Sequence, residues 1–329
     1  MSRLATFITP GKSLDEAVAR VRLAEQLGYQ TVFATQIAQR DVLMTLAAYA
    51  AGTERITLGS GVCPAFGKHP VALAFEAATL DEMSGGRLIL GIGMAHRITM
   101  ENWYGVDMSK PLSRFKEYVQ VLRSLFTTGR VEFAGEFYKT NFGFMNYDVR
   151  PDLPIYTASL APNSLRFAGA AADGVVLWAC MPRYIRETVV PLLAEGAREA
   201  GRDPSEIEIV AAVPTAVTDD VEAARASFRR DLFVYMTLPF YRRAIQGAGY
   251  GDDIAAFDER LAAGDSLGAR AAISDALLEH FAAIGTAEQV RAKLAEYREA
   301  GATMPAVGVI SKPKDGPDWS EDSLKAAIG

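Results

Sequence analysis

Short unbroken apolar runs alternate along this chain with longer stretches in which apolar residues return every three or four positions. The first run, residues 4–9, is rich in β-formers and stops at the turn signal Pro10-Gly11. Ala17, Val18, Val21, Ala24 and Leu27 then recur at helical spacing. Ser13, three residues before Glu16, starts that helix as a capping box, and Gly28 ends it. Residues 31–35 read as a second strand and 41–51 as a helix closed by Gly52. A third strand covers 56–62, and a helix starts at Pro70, a residue suited to a first helical turn. Gly85-Gly86 turns the chain into residues 88–94, whose core 88–92 is too short for a helix and lacks polar alternation. That run predicts a fourth strand covered on both faces, as in a parallel sheet.

The rhythm then changes. Residues 95–112, with Trp103, Tyr104, Gly105 and Pro111, predict an irregular loop of the length usually reserved for function. A helix follows over 113–126, and 129–147, rich in glycine and aromatics, predict a hairpin and loop over one end of the molecule. Strands at 154–159, 174–179 and 207–217 alternate with helices at 162–172 and 183–200. Residues 231–281 are helical in pattern but broken by Pro239, Gly247, Gly249, Gly251 and Gly264, which predicts an insertion of several short helices. Thr286 with Gln289 caps a long helix through Ala300, and 306–310 make the eighth strand. The tail beyond Pro313 predicts a terminal helix of poor order. Eight apolar strands alternating with helices point to the α/β class and a (β/α)8 TIM barrel. It is expected to form one domain over 1–329, with insertions after strand 4 and after strand 7. An open doubly wound sheet is the runner-up.

Composition narrows the partners. Half of the 329 residues are hydrophobic, enough for a large core. A formal charge of −6, with both signs interspersed, leaves no electrostatic footprint for nucleic acid. No apolar run approaches the ~20 residues of a membrane span, and the first residues lack the apolar region of a signal peptide. Two cysteines, Cys63 and Cys180, need no disulfide framework and fit a reducing cytoplasm. His69, His96 and His280 are too far apart for a zinc spacing, so no metal is expected.

In such barrels the site lies at the carboxyl ends of the strands. Thr35, Gly61, Val62, Cys63, Met94, His96, Ala158, Ser159, Pro162 and Asn163 fall there. The set offers no paired carboxylates for glycoside hydrolysis, no strand-end lysine for a Schiff base and no carboxylate cluster for Mg²⁺. A rim so poor in titratable groups suggests that a bound organic cofactor carries the reaction. His96 is a candidate acid or base, and Glu101 a candidate general acid. The plainer readings are a histidine that only hydrogen-bonds, a solvated loop carboxylate, and a Cys63 that packs as a small hydrophobe.

Several stretches together resemble the luciferase-like monooxygenase superfamily. They are Thr53-Glu54-Arg55-Ile56-Thr57-Leu58-Gly59-Ser60-Gly61-Val62, His69-Pro70, Ser84-Gly85-Gly86-Arg87 and Leu90-Gly91-Ile92-Gly93, with Ala172-Asp173-Gly174 and Ile284-Gly285-Thr286 further on. Within it the chain is most similar to the branch that uses the deazaflavin coenzyme F420, typified by methylenetetrahydromethanopterin reductases. The resemblance implies hydride transfer between F420 and a small organic substrate, with flavin mononucleotide (FMN) monooxygenation as the alternative. It also implies a non-prolyl cis peptide within 61–63, a cofactor-phosphate segment around Ala158, Ser159, Pro162 and Asn163, and a lid from Trp103 and residues 235–241. Many members carry an Asp-His pair after strand 2; here Thr35-Gln36 stand there. That departure keeps a non-catalytic ligand-binding barrel open as a further alternative. A homodimer is the expected assembly.

Overall fold

The computed structural model describes residues 3–38, 40–145, 147–158, 160–313, 316 and 318–328. Its centre is a closed barrel of eight parallel strands: strand 1 (Ala5–Phe7), strand 2 (Thr31–Ala34), strand 3 (Thr57–Ser60), strand 4 (Leu88–Gly93), strand 5 (Ile155–Thr157), strand 6 (Gly174–Leu177), strand 7 (Glu208–Val217) and strand 8 (Met304–Val309). Each pairs with its neighbour in sequence, and the ring closes where Ala5 of strand 1 faces Ala306 of strand 8. The (β/α)8 expectation holds and the open sheet does not.

Strand alternation decides which side chains fill the ring. Ala5, Phe33, Ile89, Tyr156, Val176, Val210, Met304 and Ala306 are buried there as one cluster, with Phe7 and Val62 partly buried against it. Below them the Tyr156 hydroxyl donates to the Glu208 carboxylate, which also meets Arg3, and this polar plug closes the amino-terminal end. Replacing Phe33, fully buried and stacked 5.3 Å from Phe7, with alanine costs about 3–5 kcal/mol. The larger cluster lies outside the ring, between strands and helices, and holds Leu46, Tyr49, Tyr118, Phe126 and Tyr297.

Local signals set the helix ends. Ser13 Oγ accepts from the Glu16 N–H at 3.2 Å, and Gly28 adopts φ 93°. Thr286 and Gln289 form the reciprocal pair of a capping box, at 3.3 and 2.8 Å. The insertion after strand 4 carries an antiparallel hairpin, Arg130–Ala134 on Lys139–Gly143. The insertion after strand 7 contains helices Pro239–Gly247, Gly251–Ala262, Ser266–Ala271 and Asp275–Phe281.

Three expectations change. Residues 95–112 are not wholly irregular: Arg97–Tyr104 is helical, held by the fully buried Met100 and ended by Gly105 at φ 64°. Strand 3 stops at Ser60 and resumes as Cys63–Pro64, which pairs with strand 4. The tail forms a docked helix, Ser320–Ile328. Its Leu324 is buried and takes a hydrogen bond from the Tyr29 hydroxyl at 2.9 Å, while Ser323 Oγ accepts the Val217 N–H at 3.1 Å. Two polar contacts and a short apolar stripe give too faint a periodicity to be read from sequence.

Candidate active site

The carboxyl ends of the strands open into one mouth, and a bulge after strand 3 shapes one side of it. The peptide between Gly61 and Val62 is cis. Thr35 Oγ1 donates to the Gly61 carbonyl at 3.0 Å, the Gly61 N–H donates to Ala34 O at 2.7 Å, and Ser60 Oγ donates to Gly91 O at 2.7 Å. Glycine makes room for the bulge at two positions of strand 4. A Cβ on Gly91 would lie 1.9 Å from the Ser60 carbonyl oxygen, and one on Gly93 would lie 2.8 Å from Val62 Cγ2 and 3.2 Å from Ala158 Cβ. The Gly-x-Gly of strand 4 therefore admits the bulge of strand 3, bringing Gly61, Val62, Gly93 and Ala158 into one patch.

Cys63 belongs to the same turn but faces away from chemistry. It is fully buried, paired with Ile92, and burial pushes its thiol up to about 12. Burial raises the Cys180 thiol further. Neither is a thiolate near neutral pH.

Strand 4 leads through half-buried Met94 and Ala95, at φ 57°, to His96, whose backbone caps the helix Arg97–Tyr104. The His96 ring is half-buried, its centroid 6.5 Å from that of Tyr241 at an interplanar angle of 61°. Burial lowers its pKa below 6.5, so the neutral imidazole prevails at neutral pH. Glu101, one turn on, pairs with Arg97 at 2.7 Å, and both are exposed. After the neighbouring strand 5, Pro162 and Asn163 are exposed at the start of the helix Pro162–Ala171. The preceding loop is tied by the Tyr184 hydroxyl to Leu160 O at 2.8 Å. Ser159 lies outside the described residues.

Thr35, Gly61, Val62 and Ala158 thus meet around strands 2 to 5, whereas Met94 packs against the larger cluster outside the ring; His96 leans toward the insertion, and Glu101 sits outward. Trp178 is absent from the sequence candidates. Its signal is parity: it stands two residues after the inward-facing Val176, and its Cζ3 lies 3.5 Å from the position of a Cβ on Gly308. Tyr235, from the insertion, stands beside it, and Tyr241 stands beside Tyr235.

This barrel, with its bulged third strand and glycine-floored mouth, belongs to the luciferase-like monooxygenase family, which matches residues 1–304. A curated relative, 5,10-methylenetetrahydromethanopterin reductase of Methanolobus tindarius, is 30% identical over 294 residues, covering 87% of this chain and 88% of the relative. Among solved structures, the coenzyme F420-dependent tetrahydromethanopterin reductase of Methanopyrus kandleri superposes with a TM-score of 0.86 at 24% identity, covering 99% of this chain and 97% of that one. An F420-dependent secondary alcohol dehydrogenase in complex with an F420-acetone adduct gives 0.80 at 21% identity, covering 99% of each chain. At those identities the two structures speak to fold alone.

Proposed function

We propose that this chain is a coenzyme F420-dependent oxidoreductase that moves a hydride between the deazaflavin and a small organic substrate. The observation that carries the reading is the Gly61–Val62 bulge, fixed by Thr35 and given room by Gly91 and Gly93, next to the small side chain of Ala158. Side chains that small leave space for a flat ring above Phe7 and Val62, so the residues present fit the cofactor. Val62 would back the ring, with Gly61 and Cys63 shaping the turn beneath it. The segment from Ala158 through Ser159 and Pro162 to Asn163 would hold its phosphodiester at the helix start. When bound, the deazaflavin supplies the hydride chemistry.

The chain's own groups supply the rest. His96 holds or takes the proton at a ring nitrogen on the substrate side, while Glu101, tied to Arg97, is the second candidate at the rim. Trp103, 55% exposed, and Phe240, 50% exposed, flank the opening as groups able to cover substrate and exclude water. Met44, Phe75 and Met83 present apolar surface on neighbouring helices, which supports a homodimer. Two buried, unlinked cysteines suit the cytoplasm. Among the described residues no helix is long and apolar enough to cross a membrane.

Fluorescence titration of the purified protein with F420 and, separately, FMN tests the cofactor. Saturable binding of F420 with weaker binding of FMN is expected; binding of FMN alone moves the chain to the monooxygenase alternative, and binding of neither supports the non-catalytic barrel.

A further inference from the structure

Facing the bulge across the mouth stands a wall made of rings. Trp178 at the end of strand 6 lies 5.9 Å from Tyr235, centroid to centroid. Tyr235 meets Tyr241 edge-on at 4.9 Å and 72°, and Tyr241 meets His96 at 6.5 Å. The row thus runs from the barrel floor to the rim histidine, with Tyr241 buried. Strand order puts Trp178 and the insertion opposite the turn at Gly61, since strands 6 to 8 lie across the ring from strand 3, whereas His96 follows strand 4, next to that turn.

Charges near this wall are engaged, apart from Arg243, which is exposed two residues after Tyr241. Asp231 Oδ2 accepts the Ser311 N–H at 2.9 Å, and its other oxygen is 3.8 Å from Arg230 Nε. Arg230 also donates to Ser311 O at 3.0 Å. Arg242 pairs with Asp258, and Arg97 with Glu101. Burial keeps the phenols of Tyr235 and Tyr241 protonated, so they serve as neutral donors. The Trp178 indole N–H is buried and makes no hydrogen bond of ordinary geometry among the described residues. It lies close enough to the Tyr235 hydroxyl to offset part of the burial that raises that phenol. A buried donor without a good acceptor invites one from a ligand.

We infer that Trp178, Tyr235, Tyr241 and His96 form an uncharged aromatic enclosure that selects a planar, neutral substrate bearing a carbonyl-type acceptor. This rests on the reading of the mouth as a cofactor and substrate site. Flat apolar faces fit ring stacking, and the N–H and O–H groups suit one acceptor oxygen. An anionic substrate would bring a carboxylate against the neutral rings of Trp178, Tyr235 and Tyr241, with Asp231 behind Tyr235, where an unpaired charge is costly to desolvate.

The test uses a matched set of probes that differ in charge: acetophenone, 4-acetylbenzoate and 4-(trimethylammonio)acetophenone. Each is titrated by calorimetry into the protein with and without saturating F420. Acetophenone is expected to bind at least ~10-fold more tightly than the carboxylate, about 1.4 kcal/mol. Tyr241→Ala should weaken acetophenone about 10-fold, while Tyr241→Phe, which keeps the ring, stays within about 3-fold; the F420 affinity of both should match the parent's. Circular dichroism confirms that the variants fold. Equal affinity for ketone and carboxylate, tighter binding of the cation, no measurable ketone binding, or an unaffected Tyr241→Ala overturns the enclosure. Failure of F420 to bind while the ketone still prefers this wall overturns the cofactor reading alone.

Discussion

Adding one methyl group at Gly93 tests whether the bulge supports the cofactor. In Gly93→Ala the new Cβ would stand 2.8 Å from Val62 Cγ2 and 3.2 Å from Ala158 Cβ, whereas ordinary contacts run from 3.4 to 4 Å. Val62 must therefore retreat by at least several tenths of an ångström, and the Gly61 carbonyl held by Thr35 resists that retreat. Overpacking of this kind costs about 1–3 kcal/mol. A chain this long spreads that over a large unfolding entropy, so Tm should fall by only a few degrees. The barrel should persist, because the closest contact is to a methyl of Val62 and the Ala158 contact at 3.2 Å asks for a shift of only a few tenths of an ångström. Gly91→Ala is the contrasting control: its Cβ would sit 1.9 Å from the backbone oxygen of Ser60, which no rotamer change relieves, and little folded protein is expected.

F420 affinity is then measured on the folded Gly93→Ala protein by fluorescence quenching, with thermal unfolding followed in parallel. If the deazaflavin lies over Val62, its affinity should drop on the order of 10-fold or more, since a site displaced by a fraction of an ångström loses much of its complementarity. A parent-like dissociation constant, together with the small fall in Tm, would show that the ring does not rest there.

Other expectations follow from the same geometry. His96→Gln should lower turnover on the order of 10²-fold with cofactor affinity nearly unchanged; parent-like turnover would pass the proton to Glu101 or solvent. Because burial lowers the His96 pKa, reduction of substrate, which needs the imidazolium, should speed up as pH falls toward that depressed value, and oxidation should show the opposite trend. The same shift makes His96 a group that is harder to protonate in the folded state, so its contribution to stability is present above the unfolded pKa near 6.5 and lost as pH falls below it. Pre-steady-state hydride transfer and thermal melts across pH should lose these components in the glutamine variant. Asn163→Leu, at an exposed helix start, should weaken F420 binding and leave Tm unchanged; an unaltered dissociation constant would remove that side chain from the site.

What could be read from the sequence was whatever depends on local repetition. The eight strands and their order follow from apolar runs set apart by helix-period stretches, and Ser13, Gly28 and Thr286 mark helix ends because capping is decided within a few residues. The bulge was legible as a position, at Gly61 to Cys63, through resemblance, but its support was not. Thr35 reaches the Gly61 carbonyl across 26 positions, and Gly91 yields to Ser60 across 31. Neither relation leaves a periodic trace. Arg97–Tyr104 was hidden for a related reason: one buried side chain, Met100, holds a helix whose other faces are polar or exposed, and a single anchor makes no stripe. Trp178 could have been found. Counting by two from Val176 turns it inward, and the position just past a barrel strand is where a ring would meet whatever occupies the mouth. A Tyr241 that meets His96 needed the fold, because nothing in residues 231–281 says which way a set of short helices leans. The wall opposite the bulge is thus assembled from one residue that strand parity assigns and two that only tertiary packing brings.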